Sequence, residues 1–123
     1  MPKKILIVDD DREWNFLLKM KLGIAGYATD QAFNGKDAVD KIAQSRPDLV
    51  LLDITMPVMD GWEVCAHLRA AEETKSLPIV IQSSLTHPED LQRSKSFLVE
   101  RYLLKPCSPD AIVQSIRDIL TPK

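Results

Sequence analysis

The chain has 123 residues, and its 16 lysines and arginines against 18 aspartates and glutamates leave a formal net charge of −2. This length predicts one domain, large enough to bury roughly two thirds of its unfolded surface. The near-neutral charge argues against nonspecific nucleic-acid binding, which needs a basic face. A membrane-spanning helix is excluded as well, since no apolar run approaches the ~20 residues that one requires.

The cysteine and histidine content limits the chemistry further. Cys65 and Cys107 lie far apart and form no CxxC pair, which indicates free thiols in a reducing compartment. Because no secretion signal follows the N-terminal methionine, we expect a cytoplasmic protein. With these cysteines, the two histidines, His67 and His87, are too few for a zinc site, and we expect both on the surface.

Short apolar runs without polar alternation predict strands that are covered on both faces, as in a parallel sheet. Four such runs occur, at residues 5–8, 48–53, 78–81 and 102–104. A fifth candidate, residues 27–33, is weaker and more polar, and a turn pair, Asn34-Gly35, follows it. This composition suits the edge strand of the sheet.

Apolar residues at helical spacing lie between these runs and predict five helices. The first helix ends near Gly23, the second stops before Pro47, and apolar residues at 64–68 mark the third. The fifth is the clearest, because Ser108 is a good N-cap and Pro109 suits the first helical position.

The fourth helix, around residues 88–97, has a thin apolar face. Leu91 is its one strong apolar residue before Phe97. We therefore expect it to be the least stable helix and the most easily moved. Five strands that alternate with five helices predict a doubly wound α/β fold, in which one parallel sheet lies between two helical layers.

Right-handed crossovers bring the carboxyl ends of parallel strands to one edge of the sheet, where such folds bind ligands. The side chains expected at this edge are Asp9, Asp10 and Asp11, then Asp53, then Ser83 and Ser84, and then Lys105. Several carboxylates in one cleft repel one another unless a cation neutralises them, and oxygen ligands favour Mg²⁺. Since the hydroxyl and ammonium groups suit a phosphoryl group, the set suggests Mg²⁺-assisted phosphoryl transfer to or from a carboxylate.

With these residues the chain resembles the receiver domains of two-component response regulators. The matching segments are residues 5–11 (ILIVDDD), residues 53–61 (DITMPVMDG), Ser83 after the fourth strand, and residues 102–106 (YLLKP). The resemblance covers essentially the whole chain and implies a flavodoxin-like fold with a five-stranded parallel sheet in the order 2-1-3-4-5. Residues 1–123 are then one receiver domain without an output domain, either free-standing or excised from a longer protein.

The resemblance implies a role for each residue at the strand ends. Asp53 resembles the phosphoryl acceptor, which takes phosphate from a phosphohistidine on a sensor histidine kinase or a histidine phosphotransfer protein. Asp10 and Asp53 resemble direct Mg²⁺ ligands, with the backbone carbonyl of Thr55 as a third. Asp9 then acts mainly through a metal-bound water. Lys105 pairs with the acidic pocket and afterwards with a phosphoryl oxygen.

The resemblance also implies a conformational switch. Ser83 turns inward to hydrogen-bond a phosphoryl oxygen, and Tyr102 is similar to the aromatic residue that changes rotamer with it. The change reaches the surface of the fourth helix, fifth strand and fifth helix, where an unknown downstream protein or a phosphorylation-dependent dimer contact forms. No direct nucleic-acid or membrane partner is expected. The Lys105–Pro106 peptide bond is typically cis in this family.

Two stretches depart from the family pattern. Leu85, two positions after the serine of the fourth strand, cannot orient a hydrolytic water by hydrogen bonding, so we expect slow self-dephosphorylation. Residues 94–101 lack the glycine that commonly follows the fourth helix, and Leu98 stands in its place. Either that helix ends differently or Leu98 is strained. Phe97, Leu98 and Val99 are expected to form an apolar patch.

The sequence is compatible with three functions. The first is a phosphorylation-switched signalling module, which either ends the signal path or relays phosphate onward. Two alternatives remain. One is a Mg²⁺-dependent phosphatase or phosphotransferase, but such enzymes normally carry a general acid two places after the nucleophile, where this chain has Thr55. The other is an interaction module that works without phosphorylation, which loss of the acids, Ser83 or Lys105 would favour. Because all are present, we expect the signalling module and no external substrate.

Overall fold

The computed structural model describes residues 2–84 and 87–121, in which five strands alternate with five helices. The strands are β1 (Lys4–Val8), β2 (Ala28–Ala32), β3 (Leu49–Asp53), β4 (Ile79–Ser83) and β5 (Arg101–Leu104). The helices are α1 (Arg12–Ile24), α2 (Gly35–Gln44), α3 (Gly61–Ala70), α4 (Pro88–Ser96) and α5 (Pro109–Leu120). This element order confirms the predicted α/β architecture.

All five strands are parallel and lie in the order β2-β1-β3-β4-β5, which confirms the predicted topology. In the interior strands every residue is buried except Lys4 at the start of β1. β2 is an edge strand, as its polar sequence predicted, and Ala32 is its one buried residue. The hydrophobic stabilisation of the sheet, roughly 1.5–3 kcal/mol for each large buried side chain, therefore concentrates in β1, β3 and β4.

Successive residues of each strand point to opposite faces of the sheet, so the core has two halves. One half lies under α2 and α3 and includes Val8 and Ile81. The other half lies under α1 and α5 and includes Ile7 and Val80. We refer to these sides as the α3 face and the α5 face. Alternate positions along a strand therefore belong to alternate faces, and we call this alternation strand parity.

Side-chain caps begin four of the five helices. Asp11 accepts a hydrogen bond from the Trp14 N–H at 3.1 Å, and Ser108 accepts one from the Ala111 N–H at 3.0 Å, as predicted for α5. The caps of α2 and α3 are Asn34 and Asp60. At the start of α4, His87 makes no side-chain cap bond. Capping by a polar side chain is worth about 1 kcal/mol, so α4 lacks a contribution that the other helices have.

Element boundaries differ from the predicted runs mainly at β4. This strand begins at Ile79 because Pro78 has no backbone N–H for the ladder. It continues through Gln82 and Ser83, which were expected to follow the strand, because both pair with residues of β5. These two residues are therefore held in strand geometry with side chains on opposite faces.

The C-terminal end of α4 decides between the two alternatives for Leu98: the helix does not end differently, and the φ of Leu98 is +56°. The Val99 N–H donates to the Ser94 carbonyl at 3.1 Å, and the Leu98 N–H donates to the Lys95 carbonyl at 3.1 Å. This is the pair of bonds that ends a helix when a left-handed residue follows its cap, a position that favours glycine. The helix thus ends in the usual way, at the expense of a leucine in the left-handed region.

The apolar patch expected at residues 97–99 is exposed mainly at one of its three members, because the other two are partly buried. Phe97 stacks on Trp62 with ring centroids 6.1 Å apart, and Val99 also packs against the core. Leu98 alone of the three is exposed, to 72%. The reversal of the chain at Leu98 turns its neighbours inward, which the sequence spacing did not reveal.

Candidate functional site

The carboxyl ends of β1, β3 and β5 bring charged side chains together. The Lys105 Nζ lies 2.9 Å from Oδ2 of Asp9 and 3.6 Å from Oδ2 of Asp53. Carboxylate oxygens of Asp9, Asp10 and Asp53 all lie within 4.8 Å of one another. We call these four residues the acidic site. The parallel topology therefore assembles the predicted acids and lysine from distant parts of the chain.

Asp53 is the buried last residue of β3. Its Oδ1 accepts a long hydrogen bond from the Thr55 N–H at 3.4 Å. Burial and the charge of Asp9 raise the pKa of Asp53 from 3.8 to about 6, although Lys105 and backbone N–H groups act in the opposite direction. The Asp53 carboxylate is thus incompletely compensated, and a bound cation or a neutralising reaction would relieve it.

The start of α3 approaches Asp53 closely because residue 61 is glycine. A Cβ at Gly61 would lie 2.5 Å from the carbonyl oxygen of Asp53. The Gly61 N–H instead donates to the Ile54 carbonyl at 2.9 Å, and Asp60 caps α3 by accepting from the Glu63 N–H at 2.9 Å. Asp60 and Gly61 therefore shape the loop after Asp53 without joining the acidic site.

Asp9 is fully buried but has three hydrogen-bond partners. Its Oδ1 accepts from the Asp11 N–H at 2.9 Å, and its Oδ2 accepts from Lys105 at 2.9 Å and from Gln82 Nε2 at 3.4 Å. Burial by itself lowers the pKa of Lys105, but hydrogen bonding to Asp9 and the charges of Asp53 and Asp9 outweigh it and raise the pKa. Lys105 is therefore a firmly held cation.

The donor set of the acidic site fits a hard divalent cation. Its carboxylates offer oxygen ligands alone, which is the preference of Mg²⁺ and Ca²⁺. Asp10 is exposed, whereas Asp9 is buried and already paired with Lys105. Asp10 and Asp53 are consequently the carboxylates with the most capacity for direct ligation. Thr55 lies beside them through its N–H bond to Asp53.

The two predicted switch residues, Ser83 and Tyr102, are in contact. Ser83 is fully buried, and Tyr102 packs against the α3 face of the core. Burial raises the pKa of Tyr102, and a hydrogen bond between its hydroxyl group and that of Ser83 acts in the opposite direction. By strand parity Ser83 lies on the α3 face, whereas Gln82 and Asp53 lie on the α5 face. The side chains of Ser83 and Tyr102 thus lie on one face of the sheet, and those of Gln82 and Asp53 lie on the other, at the same edge.

Sequence reasoning missed two buried amides that support the acidic site. The Asn15 Nδ2 donates to the carbonyl of Asp9 at 3.0 Å and to two further backbone carbonyls. Gln82 accepts a bond from the Trp14 Nε1 at 2.7 Å and donates to Asp9. The signal that could have found Gln82 is an amide directly after an apolar strand run, since a buried polar group needs partners.

The remaining candidates behave as expected where the structure describes them. Burial raises the pKa of the Cys65 thiol to about 12, and it also raises that of Cys107. Both thiols are therefore protonated and unreactive near neutral pH. His67 and His87 are exposed. The Lys105–Pro106 peptide bond is cis. Leu85 lies outside the described residues.

Within the described ranges, none of the helices combines the length and apolar character that crossing a bilayer demands.

Comparison with known proteins places this geometry in a family. The family model of the response regulator receiver domain matches residues 5–117. Response regulator MprA of Mycolicibacterium vanbaalenii is 36% identical over 120 residues, which cover 98% of this chain and 51% of MprA. Transcriptional regulatory protein ResD of Bacillus subtilis is 38% identical over 119 residues, which cover 95% of this chain and 48% of ResD. The chain spans about half the length of these relatives.

Solved structures share the fold. Chemotaxis protein CheY4 of Vibrio cholerae has a TM-score of 0.91 at 30% identity, covering 98% of this chain and 100% of that one. The phosphorylated cyanobacterial phytochrome response regulator RcpA has a TM-score of 0.83 at 27% identity, covering 97% of this chain and 91% of that one. The fold and the acidic site define a signalling domain of the α/β class. The chain belongs to the response regulator receiver domain family of two-component systems.

Proposed function

We propose that Asp53 accepts a phosphoryl group from a phosphohistidine of a sensor histidine kinase or a histidine phosphotransfer protein. The observation that carries this proposal is the position of Asp53, a buried carboxylate 3.6 Å from Lys105 within a cluster of three carboxylates. The family match supports phosphorylation-based signalling as the general activity. The product, an aspartyl phosphate, changes a partner-binding surface of the domain.

Mg²⁺ is the proposed cofactor. Asp10 and Asp53 would hold it directly, together with the backbone carbonyl of Thr55. Asp9 would act mainly through a water on the ion, which is consistent with the contact of its Oδ2 to Lys105 at 2.9 Å. The ion supplies positive charge to the oxygens of the transferring phosphoryl group and to the ionised form of Asp53.

Phosphoryl transfer is mainly a matter of positioning and charge stabilisation. A carboxylate oxygen of Asp53 bonds to phosphorus as the bond between phosphorus and the donor imidazole nitrogen breaks. Lys105 moves from the carboxylates to a phosphoryl oxygen, and Ser83 donates its hydroxyl to another. Supporting this assignment, Lys105 contacts both buried acids and is held as a cation.

The same movement of Ser83 operates the switch. When its hydroxyl turns to the phosphoryl group, the hydrogen bond with Tyr102 is lost, and Tyr102 changes rotamer. The face of α4, β5 and α5 then presents a different surface to a downstream protein or to a second phosphorylated copy. Exposed leucines on this face support a protein contact there. They are Leu91 on α4 (46% exposed), Leu98 just after α4 (72%) and Leu104 on β5 (49%).

Further properties follow from the sequence. The domain has a net charge of −2, which supports a role through protein contacts without direct nucleic-acid or membrane binding. Cytoplasmic localisation fits its free thiols. Self-dephosphorylation is slow, because Leu85 offers no hydrogen bond to a hydrolytic water. Residues 1–123 act as one receiver domain.

The test is phosphorylation by acetyl phosphate with Mg²⁺, followed by the intact mass of the protein. Wild type is expected to gain one phosphoryl group, and omission of Mg²⁺ or the Asp53→Asn substitution is expected to abolish the gain. Asp110→Asn is the matched control, because Asp110 is an exposed aspartate whose carboxylate lies 3.6 Å from Lys21 and does not belong to the acidic site. Phosphorylation of Asp53→Asn at the wild-type rate would contradict the proposal.

A further inference from the structure

Gln82 is a polar residue in a strand that is otherwise built for the core. The residues before it in β4 are Ile79, Val80 and Ile81, and Gln82 itself is 0% exposed. Burying an amide is costly unless its hydrogen bonds are made. The sheet register places Gln82 beside Asp53 of β3. A residue that adds nothing to apolar packing therefore lies next to the acidic site, and its two hydrogen bonds account for its presence.

The amide of Gln82 bonds to Trp14 and to Asp9 at the same time. One orientation of the amide allows both bonds, and the flipped orientation allows neither. The indole Nε1 of Trp14 is a donor alone, and it lies 2.7 Å from Gln82 Oε1. The ionised carboxylate of Asp9 is an acceptor alone, and its Oδ2 lies 3.4 Å from Gln82 Nε2. Trp14 thus fixes the amide so that its N–H groups face Asp9.

Asp9 Oδ2 has two partners of unequal strength. The charged Lys105 lies at 2.9 Å, and the neutral amide of Gln82 lies at 3.4 Å. During the proposed transfer, Lys105 moves to a phosphoryl oxygen, and Asp9 then loses an ion-pair partner while fully buried. Its Oδ1 keeps the bond from the Asp11 N–H at 2.9 Å, but its Oδ2 loses a charged donor, and losing a charged partner is costly for a buried carboxylate. The amide is the donor that stays on the same oxygen and can shorten its bond.

We propose that Gln82 is a positioning residue for phosphoryl transfer. It keeps Asp9 in place while Lys105 moves to the phosphoryl group, and Trp14 of α1 holds the amide in the required orientation. This inference rests on the proposed function, because the movement of Lys105 is part of it. It has a specific consequence: loss of Gln82 affects phosphorylation, in which Lys105 has left Asp9, more than Mg²⁺ binding, in which Lys105 still holds it.

The experiment compares wild type with Gln82→Met, Trp14→Phe and the double variant. Gln82→Met keeps the length of the side chain but removes the amide, and Trp14→Phe keeps an aromatic ring but removes the N–H. Gln114→Met is the matched control, because Gln114 is exposed on α5 and bonds Asp118. For each protein we measure the Mg²⁺ dissociation constant by calorimetry, the phosphorylation rate with acetyl phosphate at saturating Mg²⁺, and the urea unfolding midpoint.

Gln82→Met is expected to slow phosphorylation about tenfold, the effect of one hydrogen bond to a charged group, and to change the Mg²⁺ dissociation constant less than about twofold. Trp14→Phe is expected to slow phosphorylation about threefold. The double variant should match Gln82→Met, because Trp14 acts through the amide. In the ¹H–¹⁵N spectrum, the indole resonance of Trp14 should shift in Gln82→Met and not in Gln114→Met.

A wild-type phosphorylation rate in Gln82→Met, with a changed unfolding midpoint alone, would overturn the inference and leave the proposed function intact. Effects of Gln82→Met and Trp14→Phe that multiply in the double variant would overturn the role given to Trp14. If Gln82→Met does not fold, a wild-type rate in Trp14→Phe is sufficient to overturn that role. Absence of phosphorylation in wild type would instead overturn the proposed function, and the inference with it.

Discussion

Helices α4 and α5 flank β5, but they are attached to the domain in different ways. α5 buries Ile112, Val113 and Ile116 and begins at the side-chain cap Ser108. In α4 the buried residues are Asp90 and Ser94, and no side-chain bond caps its start. α5 is therefore held by apolar area, whereas α4 has almost none to contribute.

Polar and aromatic contacts from α3 hold α4 instead. The Trp62 Nε1 donates to Asp90 Oδ1 at 3.3 Å, and the Trp62 ring stacks on Phe97. The Arg69 Nε donates to the Phe97 carbonyl at 2.7 Å. Such contacts depend on direction and are few, so they can be exchanged for others at a small difference in free energy. The proposed switch requires α4 to move, and this kind of attachment permits such a movement at a lower cost than the apolar attachment of α5.

The largest expected contrast comes from truncating one apolar residue in each helix. Ile116→Ala removes a fully buried side chain of α5 and is expected to lower the free energy of unfolding by about 2–5 kcal/mol. Leu91→Ala in α4 is expected to cost less than about 1 kcal/mol, because Leu91 is 46% exposed. Urea unfolding measures both. Equal losses would refute the contrast between the two helices.

The pH dependence of stability sharpens the comparison in the absence of divalent cations. The pKa of Asp53 is about 6 in the folded protein against 3.8 ordinarily, so protonation of Asp53 favours folding. This contribution, at most about 3 kcal/mol, is complete below about pH 4 and is lost as the pH rises through about 6. The free energy of opening of the α5 amides, measured by hydrogen exchange, should show the same pH dependence, because these amides exchange when the whole domain unfolds.

Amides of α4 should not follow the titration of Asp53, because they exchange by local opening. Asp53→Asn provides the control, since it removes the titrating group. In this variant, the contribution of Asp53 to the pH dependence of the free energy of opening of the α5 amides should disappear. Matching pH profiles for the two helices in wild type would show that α4 opens with the rest of the domain.

Removing the indole N–H that reaches α4 gives an intermediate effect. Trp62→Phe leaves the buried carboxylate of Asp90 without the bond at 3.3 Å, which is expected to cost about 1–3 kcal/mol. The loss should appear as about tenfold faster exchange of α4 amides with little change in α5. Trp14→Phe serves as the comparison, because Trp14 lies on α1 and bonds Gln82, away from α4. Uniformly faster exchange throughout the domain would argue against a local attachment.

The smallest effect concerns the residues that end the two helices. Leu98→Gly is expected to raise the free energy of unfolding by about 0.5–1 kcal/mol, because φ at Leu98 is +56°. Thr121→Gly at the end of α5 should instead lower it slightly, since φ at Thr121 is −75°. Thermal unfolding of both variants measures the difference. A loss of stability in Leu98→Gly would contradict the strain.

Much of this organisation could be predicted because it depends on local pattern. Apolar runs predicted the strands, Ser108 predicted the start of α5, and the missing glycine marked the end of α4 as the place for either a different helix end or a strained Leu98. The acids and Lys105 were found because parallel topology brings strand ends together. Gln82 was missed because its partner Trp14 is 68 positions away, and no local pattern encodes that bond. The inward position of Phe97 was missed for the same reason, since it depends on Trp62 of another helix.

Gln82 and Ser83 are joined by one peptide bond and point to opposite faces of the sheet. Gln82 lies on the α5 face and bonds Asp9, and Ser83 lies on the α3 face with Tyr102. Under the proposed function this alternation has a consequence for protein engineering. The α3-face residues that contact α4 can be exchanged for those of other receivers, with Ser83 retained, while the contacts of Gln82 with Trp14 and Asp9 on the other face stay unchanged.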